Sequence, residues 1–173
     1  VDANRAHACV GCFILASAPV LCKPAVDSRT DRGCPTGQVR CRGRIAHFNG
    51  VNWIVQTVTN KDLRAVWGTS ATNVYAVGAS GTILHYDGSG WSSQNSSTLS
   101  SFFDIWGYDA DHIWAVGDYA DVLFFDGSSW SRRTSGLFSG TLYGITGFDG
   151  SNIIAVGWGQ FPTDYGTTSG GII

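Results

Sequence analysis

The stretch that decides the fold is LRAVWGTSATNVYAVGASGTILHYDGSGW, which runs from Leu63 to Trp91. It holds four short runs of strand-forming residues with Gly-rich breaks between them. The predicted strands cover 63–67, 73–77, 82–86 and 91–94. The Asp87-Gly88 dipeptide is typical of tight hairpin turns, because Gly accepts a positive φ and Asp tolerates it. The stretch therefore predicts one antiparallel sheet of four strands.

The same pattern recurs along the chain at a nearly constant step. Trp53, Trp91 and Trp130 each follow an Asn-Gly or Asp-Gly turn and are spaced 38 and 39 residues apart. The segments AVWG at 65–68, DIWG at 104–107 and GITG at 144–147 keep steps of 39 and 40 residues. A unit of four strands in about 40 residues is typical of a β-propeller blade. We therefore predict an all-β partial β-propeller over 41–173, with two full blades, a half blade at 44–57 and an incomplete last unit.

The number of predicted blades indicates whether this chain alone could form a closed propeller. About three blades are fewer than the four to eight of closed propellers. The chain begins at Val1, contains no Met and stops at Ile173 inside a predicted third strand. We therefore expect either a piece of a longer protein or a homo-oligomer in which copies complete a ring.

The composition agrees with a β protein and narrows the class of partner. Among 173 residues there are 23 Gly and no Glu, and 13% of the residues are aromatic, so strong helix formers are scarce. From residue 45 onward, four Lys or Arg stand against ten Asp. This acidic balance argues against a nucleic-acid partner.

A separate segment over 1–40 precedes the repeats. The apolar run from Ala8 to Cys22 follows Arg5 and contains small residues at 16–18, which predicts an export signal and a secreted, periplasmic or cell-surface location. Pro19 argues against that signal, and a buried strand is the alternative. The run is too short to span a membrane in the mature chain. All five cysteines lie within the first 41 residues, and their single Cys-x-x-C pair is weak support for zinc, so we expect no metal and no cofactor.

Columns of equivalent residues separate packing positions from variable ones. The Ala-Val pairs at 76–77, 115–116 and 155–156 predict core positions between stacked sheets. Trp53, Trp91 and Trp130 are predicted to be buried wedges between blades, with each indole N–H bonded to a backbone carbonyl. The column of Trp67 and Trp106 holds Thr146 in the last unit, so we interpret it as not strictly required by the fold.

The unit quoted above resembles bacterial propeller repeats of the Asp-box (BNR), sialidase-type group and of the photosystem assembly and stability factors. The shared pattern is an Ala-Val-Gly strand, then Gly-x-Ile, then Asp-Gly and Trp, and it covers about 41–173. The Asp-box has five steps from Asp to Trp, whereas Asp87 to Trp91 spans four. A sialidase would need an arginine cluster and a Glu-Tyr pair, and the chain has no Glu. What the resemblance implies is an exported scaffold that presents loops to a partner.

Two features are candidate ligand-binding sites. His85 shares its blade position with His47 and Phe124, so it is either a ligand-binding group or a partly buried ring, and we favour the ring. The last unit inserts WGQFPTDYGTTSG (158–170) where the others have about three residues. In this predicted loop the residues that combine aromatic area with polar groups, as in sugar or peptide contacts, are Trp158, Phe161, Asp164 and Tyr165. A loop that covers its own blade is the alternative.

The acidic turns do not require an ion. Asp109 and Asp111 have the oxygen ligands that calcium prefers. Asx turns explain these residues and Asp149 without a metal, and we favour that interpretation.

No pattern of nucleophile, base or paired carboxylates emerges, so we predict that the chain is not an enzyme. The expected function is a non-catalytic exported propeller that binds protein or carbohydrate. The alternatives are an oligomeric propeller lectin and a fragment of a larger propeller enzyme such as a glycosidase.

Overall fold

The computed structural model describes residues 42–136, 139–161 and 168–172, and within them the fold is all-β with no helix. The strands are β1 (Arg44–Phe48), β2 (Trp53–Thr57), β3 (Leu63–Ser70), β4 (Asn73–Gly78), β5 (Ile83–Tyr86), β6 (Trp91–Gln94), β7 (Phe102–Gly107), β8 (Ile113–Gly117), β9 (Val122–Phe125), β10 (Trp130–Arg133), β11 (Ser139–Gly147), β12 (Ile153–Phe161) and β13 (Thr168–Ile172). The predicted export signal and the five cysteines lie outside the described residues. In the part of the chain that the structure describes, no helix meets the length and hydropathy needed to cross a membrane.

The strands form four antiparallel sheets in which chain neighbours are also sheet neighbours. Sheet 1 contains β1 and β2, sheet 2 contains β3 to β6, sheet 3 contains β7 to β10, and sheet 4 contains β11 to β13. Sheets 2 and 3 have the same order and the same register, so that Trp67 opposite Tyr75 corresponds to Trp106 opposite Trp114. The four-stranded sheet predicted from 63–94 is confirmed.

The turn chemistry that predicted the hairpins is also confirmed. Gly50, Gly88 and Gly127 have φ values of 95°, 94° and 89°. A side chain is strained in this region, which is why Gly follows the Asn or Asp of each turn. The strand ends are therefore defined by local backbone preference.

The core lies between neighbouring sheets. Val77 and Ile83 of sheet 2 pack with Phe102 and Ile113 of sheet 3, and all four are fully buried. The predicted core positions Ala76, Ala115 and Val116 are likewise at most 1% exposed.

In sheet 4 the equivalent prediction is wrong in part. Ala155 packs toward sheet 3, but Val156 is 46% exposed. Successive residues of a strand point to opposite faces, so Val156 points away from sheet 3. No described residue buries it there.

Two tryptophans that join the sheets lie outside the column predicted as wedges. A Cβ built on Gly107 would overlap the ring of Trp67, and one built on Gly147 would lie 2.6 Å from the ring of Trp106. Trp67 and Trp106 therefore lie directly against a glycine of the next sheet. Sheet 4 has Thr146 at their position, so the column is a contact between sheets where it holds Trp and is not required in every sheet.

The predicted wedges at Trp53, Trp91 and Trp130 need correction. Trp53 is 49% exposed because it lies in β2, where every residue is exposed. Trp91 is half-buried. Trp130 is buried and contacts Tyr75 of sheet 2 with ring centroids 6.1 Å apart, but its Nε1 has no hydrogen-bond partner among the described residues. Only Trp130 is therefore a buried wedge, and its predicted carbonyl bond is absent.

Both described ends of the insertion, which was predicted as a loop over 158–170, are strand. β12 continues to Phe161 and pairs with β13, with Trp158 opposite Gly171 and Phe161 opposite Thr168. β11 lengthens with it, since Ser139 pairs with Gln160. Residues 162–167 lie outside the described residues. The loop prediction is therefore wrong for 158–161 and 168–170, which continue the antiparallel ladder.

Candidate functional site

His85 is committed to contacts within its own sheet. Its ring stacks on Tyr75 with centroids 4.4 Å apart and an interplanar angle of 20°. Its Nε2 lies 2.7 Å from Oδ1 of Asn73, to which it donates when that nitrogen carries the proton. Burial lowers the pKa of His85, against a smaller opposing effect of the Asp87 carboxylate. In sheet 3 the equivalent Phe124 packs on Trp114 with ring centroids 4.6 Å apart, at a larger interplanar angle of 43°.

The residues predicted in the insertion are only partly placed. Trp158 lies on β12 and is 52% exposed. Phe161 ends that strand. Asp164 and Tyr165 lie outside the described residues. His85 lies in sheet 2 and Trp158 in sheet 4, and sheet 3 packs between these two sheets.

The acidic turns use their carboxylates to hold the chain. Oδ1 of Asp109 accepts hydrogen bonds from the backbone N–H of Asp111 and the ring of His112, and Oδ1 of Asp149 accepts from the N–H groups of Ser151 and Asn152. These are the Asx turns that the sequence predicts. The side-chain hydrogen bond from His112 is the main cause that lowers the pKa of Asp109.

A feature not anticipated from sequence lies on the first strand of each large sheet. β3, β7 and β11 each contain a β-bulge, where the register shifts between Leu63 and Ala65, between Phe102 and Asp104, and between Leu142 and Gly144. The unpaired residues are Arg64, Phe103 and Tyr143. Bulges re-aim side chains and are common beside binding sites.

These three bulge residues touch one another across the sheets, and we call them the inner-strand row. The guanidinium carbon of Arg64 lies 4.3 Å from the centroid of the Phe103 ring. The rings of Phe103 and Tyr143 meet edge to face, with centroids 5.3 Å apart and an interplanar angle of 65°. The row thus joins sheets 2, 3 and 4 into one strip of cationic and aromatic groups.

The side chains of the row are partly or largely open to solvent, and one hydrogen-bond donor among them has no partner within the described residues. Tyr143 is 56% exposed, and Arg64 and Phe103 are half-buried. Nη1 of Arg64 is buried and has no hydrogen-bond partner within the described residues. Oδ2 of Asp104, next to Phe103, accepts the backbone N–H of Ile145 at 3.1 Å, which ties sheet 3 to sheet 4 beside the row.

Charge is unevenly distributed between the two ends of the sheets. The turns after β3, β5, β7, β9 and β11 lie at one end, where Gly88 contacts Thr72 and Gly127 contacts Asp111. We call it the acidic end, because its turns carry Asp87, Asp109, Asp111, Asp126 and Asp149 without any Lys or Arg.

The opposite end, where β3 and β7 begin, is the basic end. It carries Lys61 and Arg64. Of its three turn aspartates in the described residues, Asp62 pairs with Arg42 at 3.4 Å, Asp121 pairs with Arg132, and Asp118 accepts the hydroxyl of Thr141. The bulges of β3 and β7 lie toward this end, because Arg64 and Phe103 are the second residues of their strands, and Tyr143 of β11 lies beside Phe103. The inner-strand row therefore belongs to the basic end.

Sequence reasoning missed the row because it searched for columns of constant residue type. Arg, Phe and Tyr share a position but not a chemistry, in the segments LRAVWG, FFDIWG and LYGITG. The available signal was positional, since each residue directly precedes the small or short side chain of Ala65, Asp104 or Gly144.

Comparisons with protein-family models, with curated proteins and with solved structures give no match for this chain. The site is therefore argued from its own geometry.

Proposed function

We propose that this chain is a non-catalytic binding or scaffold module of the β-propeller class, exported from the cytoplasm, that recognises a protein or glycan partner. The observation that carries the proposal is the inner-strand row of Arg64, Phe103 and Tyr143. A guanidinium and two aromatic rings supply contact area and a fixed charge, and such groups dominate the energetics of recognition surfaces.

The propeller class is supported by the strand order and by the packing of the sheets. In sheets 2 and 3 the chain runs in order from one edge strand to the other. The first strands of successive sheets pack side by side, β3 on β7 and β7 on β11, as the inner strands of propeller blades do. The Asp-box-like sequence pattern favours the same class, and the apolar run at 8–22 favours export.

Screening the purified chain against a glycan array and a phage-displayed library of random heptapeptides tests the function. We expect saturable binding to at least one ligand class, with the ligand recovered unchanged. Tyr143→Ala should weaken that binding by about fivefold or more, because it removes an exposed ring worth about 1 kcal/mol or more in a contact. Tyr108→Ala is the matched control, since Tyr108 is 57% exposed but lies at the acidic end.

Two results would overturn this function. One is silence in both screens from protein whose circular dichroism shows folded β-structure. The other is chemical conversion of a bound glycan, which would make the chain an enzyme.

A further inference from the structure

We propose that the inner-strand row binds an acidic peptide segment of a protein partner, with a carboxylate side chain at Arg64 and a neighbouring apolar side chain in the notch between Phe103 and Tyr143. This inference rests on the proposed function and commits it to one class of partner. Three features of the structure carry it: the state of the guanidinium, the angle between the rings and the distribution of charge.

The guanidinium of Arg64 packs on an aromatic ring at a half-buried position. Its central carbon lies 4.3 Å from the centroid of the Phe103 ring. Nη1 is buried and has no hydrogen-bond partner among the described residues, so a ligand from solvent reaches the group through its other N–H groups. A carboxylate that approaches there meets a charged, planar donor group, which is the geometry that arginine prefers.

The ring geometry favours a peptide over a sugar. Sugars stack on an open aromatic face, but one face of Phe103 is covered by Arg64. Tyr143 is tilted by 65° from Phe103, so the two rings form a notch and do not form a flat platform. A notch between tilted rings fits a branched apolar side chain, which gains contact with both rings.

The distribution of charge selects the same partner. The row lies at the basic end, where Arg42 and Arg132 pair with two of the three turn aspartates of the described residues and Lys61 and Arg64 add further positive charge. The turn aspartates of the acidic end lie at the opposite end of the sheets. An acidic segment is therefore attracted to the basic end and repelled from the other, which orients it before contact.

The test is selection of random heptapeptides displayed on phage, followed by titration of one selected peptide by fluorescence anisotropy. We expect the selected sequences to be enriched in Asp or Glu next to Leu, Ile, Val or Phe. Arg64→Gln should lower the affinity at least about tenfold, since it removes a charged hydrogen bond worth about 1.5–3 kcal/mol. The affinity of Arg64→Lys should lie between those of Arg64→Gln and the unmodified chain. Lysine keeps the positive charge but loses the planar guanidinium.

Arg133→Gln is the matched control. Arg133 also lies over an aromatic ring, that of Phe124 at 5.1 Å, but on β10, away from the inner strands. We expect it to bind the selected peptide as the unmodified chain does. Circular dichroism of each variant separates loss of binding from loss of fold. Tyr143→Ala is a second substitution in the row, at an exposed position, and should also weaken binding.

Several outcomes overturn the inference. Selected peptides without acidic enrichment would do so, as would equal affinities of Arg64→Gln and Arg133→Gln. Binding of uronic-acid oligosaccharides that depends on Arg64, in place of peptides, would replace the partner class while leaving the proposed binding function intact. No binding to either probe would overturn both proposals together.

Discussion

At the residue scale, the chain uses short polar side chains to hold its turns. Oδ1 of Asp87 accepts the backbone N–H groups of Ser89 and Gly90 at 2.8 and 3.0 Å, together with the Ser89 hydroxyl. Asp126 makes the same contacts in the next sheet with Ser128 and Ser129. Hydrogen bonds to the charged form favour ionisation, and they lower the pKa of each carboxyl to about 2.

These pKa values make a prediction about acid stability. A carboxyl with a lowered pKa in the folded state stabilises the fold above its ordinary pKa, and this contribution is lost as the pH falls through about 3.8 toward about 2. We expect the urea midpoint of the unmodified chain to fall between about pH 5 and about pH 2.5 by more than that of Asp87→Asn/Asp126→Asn. The amide oxygen of Asn still accepts the turn hydrogen bonds but does not titrate. Equal losses in the two proteins would contradict this account.

At the element scale, sheets are joined where a tryptophan of one lies on a glycine of the next. Trp67 of β3 lies on Gly107 of β7, and Trp106 of β7 lies on Gly147 of β11. The φ of both glycines lies outside the left-handed region, so backbone conformation does not require glycine there. Glycine is needed because the ring leaves no room for a side chain. The contact is thus a fit between a large ring and an absent side chain.

Gly107→Ala tests this fit. A Cβ at Gly107 overlaps the ring of Trp67, so we expect a loss of about 1–3 kcal/mol in the free energy of unfolding, measured with urea. Gly90→Ala should be nearly neutral, because a Cβ there meets no atom within 4 Å. Combining Gly107→Ala with Trp67→Leu should recover part of the loss. If the two substitutions are strictly additive, the clash is not the cause.

At the scale of the whole molecule, the sheets stack in sequence and each interface is its own small core. Sheets 2 and 3 share the core around Val77 and Phe102, and sheets 3 and 4 share a second one around Val116 and Leu142. In such an array stability is close to a sum of neighbouring contacts, so that one interface can open without the other.

Amide hydrogen exchange of Leu142→Ala measures this independence. Leu142 is 3% exposed, and its truncation costs about 2–4 kcal/mol at the interface of sheets 3 and 4. We expect exchange in β11 and β12 to accelerate by roughly 30-fold or more, with β4 and β5 little changed. Val77→Ala, at the interface of sheets 2 and 3, should accelerate β4 and β5. Uniform acceleration in all strands would indicate one cooperative unit instead.

Features that depend on residues close together in the chain were predicted well, and features that depend on pairing between distant strands were not. Strand bounds at Arg44–Phe48, Trp53–Thr57 and Trp91–Gln94 agree with the sequence prediction, because Gly, Asn and Asp define turns within a few residues. Residues 158–161 and 168–170 were predicted as loop but are strand, since their pairing depends on a lengthened β11 that lies before them in the chain. The inner-strand row was missed because a bulge is a mismatch between two strands and leaves no mark in either one alone.

The sequence by itself determined that the described part of this protein is all-β, where several of its strands begin and end, and which carboxylates hold its turns. These properties depend on φ preferences and on hydrogen bonds between residues that are neighbours in the chain. Only the tertiary structure decided which tryptophans join the sheets and that Arg64, Phe103 and Tyr143 touch. Those contacts join residues of three different sheets, and they depend on how the sheets stack and on the bulges that turn the three side chains toward one another.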